Sequence, residues 1–164
     1  MRLFVGFDDT DVLGSERGTG KLARWFEAEL PPSCTVWGVV RQQLLVDPRI
    51  PYTSHNSAAC VVVEAVDGAV AAELVVRAAA HIGRHFLEGS DPGLCLMPEG
   101  HPALDRLVAF GRLAAVEVVT QGQAREAAAG CHLSAHGGTG DGIIGAAAAV
   151  GLTADGWSGR FIEY

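Results

Sequence analysis

Three carboxylates stand within four residues at Asp8-Asp9-Thr10-Asp11, directly after the apolar run Leu3-Phe4-Val5-Gly6-Phe7. Carboxylates this close repel one another unless a cation or hydrogen-bond donors sit beside them. Hard oxygen ligands at the end of a strand suit Mg2+ carrying the phosphates of a nucleotide. Asp8, Asp9 and Asp11 are therefore candidate metal ligands. A solvated turn with an Asp capping the following loop accounts for the same residues.

The next stretch adds donors. Arg17-Gly18-Thr19-Gly20-Lys21 opens a helix. Glycines let backbone N–H groups approach phosphate oxygens, and a helix start favours anions. Thr19 offers a hydroxyl and Lys21 a point charge, while Gly18 and Gly20 allow the close approach. Lys21 is also the sole lysine, against eleven arginines. The stretch is not a Walker A loop, which needs Gly at Ser15 and Ser or Thr at Leu22. An ordinary glycine-rich connection is the plainer reading.

A second glycine loop runs from Gly137 to Gly145 and contains Gly-x-Gly-x-x-Gly at positions 140, 142 and 145. A dinucleotide-binding reading fails because only nineteen residues follow Gly145, too few for another strand–helix–strand unit. The loop leads instead into a small-residue helix. Gly140, Asp141 and Gly142 are candidate phosphate contacts there, and a tight helix–sheet contact is the alternative. Between the two loops, Asp47 to Ser57 is dense in donors and acceptors and stiffened by two prolines. Arg49, His55 and Asn56 are candidate substrate contacts; a loop that satisfies its own backbone is the other reading. Ser90 to Cys95 is a further candidate substrate-facing loop, with Cys95 a weak nucleophile. His81 and His85 are four apart on an expected helix but lack a third zinc ligand. Of His132 and His136, which flank the second loop, His136 is the better site candidate.

The elements that must position these residues follow from periodicity and breakers. Strands are expected at Leu3–Phe7, Val36–Leu45, Ala58–Ala65, Ala115–Thr120, Cys131–Ala135 and Arg160–Tyr164. Helices are expected at Lys21–Leu30, Ala69–Phe86, Pro102–Leu113, Gly122–Ala129 and Ile143–Val150. Leu87 to Gly100, with two prolines, reads as a long irregular loop. This order predicts an α+β fold in one domain over residues 1–164, a two-layer sandwich of a mixed sheet with helices.

The chain has 164 residues, 49% of them hydrophobic, and a formal net charge of −7. That charge argues against broad nucleic-acid binding, which needs a basic footprint. Four cysteines without a Cys-x-x-Cys fit no common zinc site. No apolar run reaches membrane-spanning length and no signal segment opens the chain, so a cytoplasmic protein without membrane contact is expected.

Taken together, Val5 to Asp11, the Thr19 helix start, Asp47 to Thr53 with Asn56, and Gly140 to Gly151 resemble the kinase-like domain of the archaeal tRNA agmatinylcytidine synthetases (TiaS). They occur in that family's order and span nearly the whole chain. The resemblance implies ATP- and Mg2+-dependent phosphoryl transfer, with the strand-end acids matching Asp8 and Asp9. It implies an autophosphorylated threonine at the position of Thr19. The family continues into an oligonucleotide-binding fold and a zinc ribbon that recognise tRNA. The expectation here is a stand-alone relative. Its acceptor would be a small molecule, an RNA base or its own Thr19, with tRNA disfavoured by the charge. The alternative is a non-catalytic nucleotide-binding or protein-interaction module that retains the site. A homodimer through an Ala- and Val-rich helix is a further expectation.

Overall fold

A computed structural model describes residues 1–10, 12, 14–15, 18–50 and 57–156, together with the backbone of 160–163. Six strands form one sheet: β1 (Arg2–Asp8), β2 (Thr35–Gln43), β3 (Ser57–Glu64), β4 (Gly93–Pro98), β5 (His132–Ala135) and β6 (Arg160–Glu163). Their order across the sheet is β5-β4-β1-β3-β2-β6. The helices are α1 (Thr19–Trp25), α2 (Ala71–His85), α3 (Leu104–Ala114), α4 (Gln121–Ala127) and α5 (Gly142–Ala154).

The α+β class holds, with two changes from the expected architecture. Every strand pairing among the described residues is antiparallel, so the sheet is not mixed. Helices also cover both faces, giving three layers in place of two. The central strands show why. Leu3 to Phe7 are all buried, so both sides of β1 need a partner layer. Leu3, Val5 and Phe7 join Val61, Val63, Leu94 and Leu96 against Leu22 and Phe26 of the α1 region and Leu74, Ala78 and Ile82 of α2. Phe4, Cys60, Val62, Cys95 and Met97 face the other way, against Leu107 and Phe110 of α3 and the buried residues of α5.

Helix α5 lies on the sheet at backbone distance. A Cβ on Gly6 would overlap the Ala146 carbonyl, and a Cβ on Gly93 would overlap the backbone of Gly142. Glycine is thus dictated by close approach at both places. The apolar run Ala146–Val150 is buried all round, as expected of a helix between a sheet and α3.

Two elements differ from the sequence expectation. The expected loop Leu87–Gly100 contains β4, a central strand paired with both β1 and β5. Its apolar core is only four residues, Leu94 to Met97, bracketed by prolines that read as breakers. The expected strand Ala115–Thr120 is instead the turn between α3 and α4. Its valines have strand propensity but no strand beside them: Val116 is 68% exposed and Val118 38%. Thr120 caps α4 in a reciprocal box with Gln123. The helix expected at Lys21–Leu30 starts two residues earlier and passes after Trp25 into a 3-10 turn, Phe26–Glu29.

Candidate functional site

Register gathers the sequence's chemical residues at one end of the sheet. Asp8 is the partner of Gly93, and Gly93 of Ala135. Gln43 pairs with Ser57, two residues along from the Phe7–Ala59 pair. The end of β1, the start of β4, the end of β5, the end of β2 and the start of β3 therefore share that end. The starts of α1 and α5 lie there too, each held by bonds described next.

Thr10 joins the acidic turn to α1. Its N–H donates to Thr19 Oγ1 at 3.3 Å, and the two hydroxyl oxygens are 3.1 Å apart. Both threonines are buried, Thr19 at 8% exposure. Gly18 is the extended residue before α1, and its carbonyl accepts from Lys21 N at 3.1 Å and Leu22 N at 3.2 Å. Gly20 and Lys21 are half-buried on the first turn. The Thr10–Thr19 bonds thus hold the start of α1, with Thr19 and Lys21, beside the turn that follows Asp8 and Asp9.

The two acids are held differently. Asp9 has φ 55°, a left-handed conformation uncommon outside glycine but tolerated by Asp. Its carbonyl accepts the Asp91 N–H at 3.0 Å. The Asp8 carboxylate lies over the first turns of α5, where a Cβ at Gly145 would overlap it. Gly145 therefore makes room for an acid on the neighbouring strand.

The second glycine loop is already engaged. Asp91 accepts from the Thr139 hydroxyl, from Gly140 N at 2.7 Å and from Asp141 N at 3.3 Å. Gln121 Nε2 donates to Asp141 Oδ1 at 2.6 Å and to the Thr139 carbonyl at 3.1 Å. The amides expected to meet phosphate thus point at a carboxylate of the same chain, and Gly142 serves the helix–sheet contact. Asp91, Thr139 and Gln121 escaped sequence reasoning as structural partners. The available signal was the Asp-Pro-Gly at 91–93, which marks a turn but not what its carboxylate will reach.

Arg49 follows the self-satisfied reading. Its guanidinium binds Asp47 through two bonds, Nε at 2.9 Å and a terminal nitrogen at 2.8 Å, and its N–H adds a third at 2.9 Å. These hydrogen bonds lower the Asp47 carboxyl to about 2. Asp11, His55 and Asn56 lie outside the described residues.

The histidines separate by burial. His81 is fully buried, with Nε2 2.7 Å from the Leu22 carbonyl. A carbonyl can only accept, so Nε2 carries the proton and Nδ1 has no partner among the described residues. Burial pushes the His81 pKa down. Its ring stands 4.7 Å from that of His85, and among the described residues no three His, Cys, Asp or Glu converge as a metal cage. On β5, Ser134 Oγ lies 2.7 Å from Nε2 of both His132 and His136. Cys95 is not a loop nucleophile. It is buried in β4, and the hydrogen bond with Cys131 and its burial push its thiol up.

No protein-family model matches the chain, and no curated protein matches it. Solved structures do. Apo TiaS, a tRNA agmatidine synthetase, aligns over 92% of this chain at 30% identity with a TM-score of 0.73. The complex of TiaS with its tRNA and ATP aligns over the same share at 29% identity and 0.75. A tRNA fluorescent labeling enzyme does so at 28% and 0.73. The chain spans about a third of their length, 35% to 36%. Its fold is TiaS-like, and that fold has been solved in complex with ATP.

Proposed function

We propose that this chain is a kinase-like phosphotransferase that binds ATP with Mg2+ at the sheet end carrying Asp8 and Asp9. The observation that carries the reading is convergence. Asp8, Asp9, Thr19 and Lys21, neighbours in sequence, share one end of the sheet with the start of α5, more than 120 positions later, in a fold that resembles ATP-bound TiaS. Mg2+ usually takes only one or two carboxylates and completes its octahedron with phosphate oxygens and water. Asp8 and Asp9 fit that requirement, with Asp11 adjacent in sequence. When bound, the ion would neutralise phosphate charge. The Lys21 side chain, with the Thr19 and Gly20 amides, would orient the phosphates, since phosphoryl transfer needs mainly positioning and electrostatic stabilisation.

The acceptor would be a small molecule, an RNA base or Thr19. Transfer to Thr19 would require the start of α1 to open, because its hydroxyl is buried against Thr10. The net charge of −7 disfavours tRNA. We place the protein in the cytoplasm as one domain, with a homodimer as the oligomer to test. No helix among the described residues is long and apolar enough to cross a membrane.

Calorimetry tests the reading. The expected result is ATP binding that depends on Mg2+ and is lost in Asp9→Asn while the variant stays folded. Absence of binding by folded wild type would overturn it. A non-catalytic nucleotide module is the second reading, favoured by the engagement of Gly140 and Asp141 with Asp91. Retained affinity without turnover for any acceptor offered would select it.

A further inference from the structure

We propose that Asp91 is a positioning residue, tying the Asp9 turn to the loop before α5 so that the two walls of the nucleotide end keep one separation. This rests on the nucleotide reading above. The two ends of the residue hold different walls. Its N–H donates to the Asp9 carbonyl at 3.0 Å. Its carboxylate takes the Thr139 hydroxyl, Gly140 N at 2.7 Å and Asp141 N at 3.3 Å.

The surroundings are built for that tie. A Cβ on Gly138 would come within 2.9 Å of the Asp91 carboxyl carbon, and Gly138 itself has φ 58°. Glycine there lets the loop wrap the carboxylate in a left-handed conformation. The next residue continues the link, because the Pro92 carbonyl accepts His136 N at 2.8 Å. On the other side, Leu87 N donates to the Thr10 carbonyl at 2.9 Å, and buried Ser90 bonds the Leu87 carbonyl at 2.6 Å. Segment 87–91 therefore meets the acidic turn at two rungs, at Thr10 and at Asp9. These three bonds of the Asp91 carboxylate all go to the loop, so the residue acts through its neighbours.

Amide hydrogen exchange and Mg2+–ATP calorimetry on Asp91→Ala and Asp91→Asn test the proposal. In Asp91→Ala, the Gly140 amide should exchange at least about tenfold faster, because its acceptor is gone, and the Asp141 amide faster by less, because it also donates to Thr139 Oγ1 at 3.4 Å, while β1 and α5 keep their protection. The Kd for Mg2+–ATP should rise at least about tenfold. Asp91→Asn keeps one acceptor oxygen and should recover part of both effects. If Asp91→Ala does not fold, Thr139→Ala removes one donor and should move both readouts the same way by less. Unchanged exchange would overturn the tie. Faster exchange with wild-type nucleotide affinity would overturn the positioning role and leave a local clamp. If the wild type binds no ATP, the positioning role falls with the nucleotide reading. Amide exchange then shows separately whether the clamp exists.

Discussion

On one face of the sheet, α5 touches β1 and β4 backbone to backbone through Gly6, Gly93 and Gly142. On the other face, α1 and α2 are held off by rings. Phe7 and Phe26 meet edge to face at 5.5 Å, and His81 stands 5.4 Å from Phe26. At those glycines no side chain stands between α5 and the strands, so the Asp8 carboxylate and the start of α5 are held at backbone distance. The second face is filled by large groups, one of them titratable. The site draws its acid and second loop from the glycine face and its Thr19 and Lys21 from the ring face.

Substitutions can break this contrast. The largest effect is expected on the ring face. Phe26→Ala should cost about 3–5 kcal/mol in denaturant unfolding, as buried aromatic truncations do. On the glycine face the expected loss comes from overfilling. Gly6→Ala should cost about 1–3 kcal/mol, towards the upper end because the obstacle is the Ala146 carbonyl and not a mobile side chain. A neutral Gly6→Ala would show that α5 can lift from the sheet, and the contrast would collapse.

Gly145→Ala sharpens the comparison at the site. The added methyl would displace the Asp8 carboxylate. Mg2+–ATP affinity should fall about tenfold, roughly 1.4 kcal/mol, with a smaller change in Tm than Gly6→Ala gives. An equal loss of Tm in both would mean Gly145 serves packing alone.

The smallest effect concerns pH. Burial holds the His81 pKa below its ordinary value of 6.5. The unfolded chain therefore takes up a proton first as pH falls, and folding stability declines below about 6.5 towards the folded-state value. Above 6.5 this group adds no slope. Unfolding curves of wild type and His81→Gln should converge or cross as pH falls through that window, and parallel curves would refute the assignment. His132 and His136 are shifted the same way by burial, so His81→Gln retains some slope from these two residues.

Much of the fold was legible where one signal dominated. The apolar runs of β1 and β3 and the amphipathic α2 have strong local patterns. The misses came where local propensity lacked context. Leu94 to Met97 became a central strand because β1 and β5 offered partners on both sides, despite the flanking prolines. Val116 and Val118 stayed in a turn because no strand lay beside them. In the site, the acids and both glycine loops were readable by residue type. The engagement of Gly140 and Asp141 was not, because their acceptor lies about fifty positions earlier. Burial of Thr19 was equally hidden, since it depends on Thr10 folding back over the start of α1.

By itself the sequence determined an α+β chain with carboxylates at a strand end and glycines at two helix starts. These are consequences of local pattern and residue chemistry. The tertiary structure decided what those groups face. Antiparallel register brought the β1, β4 and β5 ends together, and close approach chose the glycines under α5. Which donors remain open to a ligand depends on long-range hydrogen bonds, whose geometry no local stretch of sequence contains.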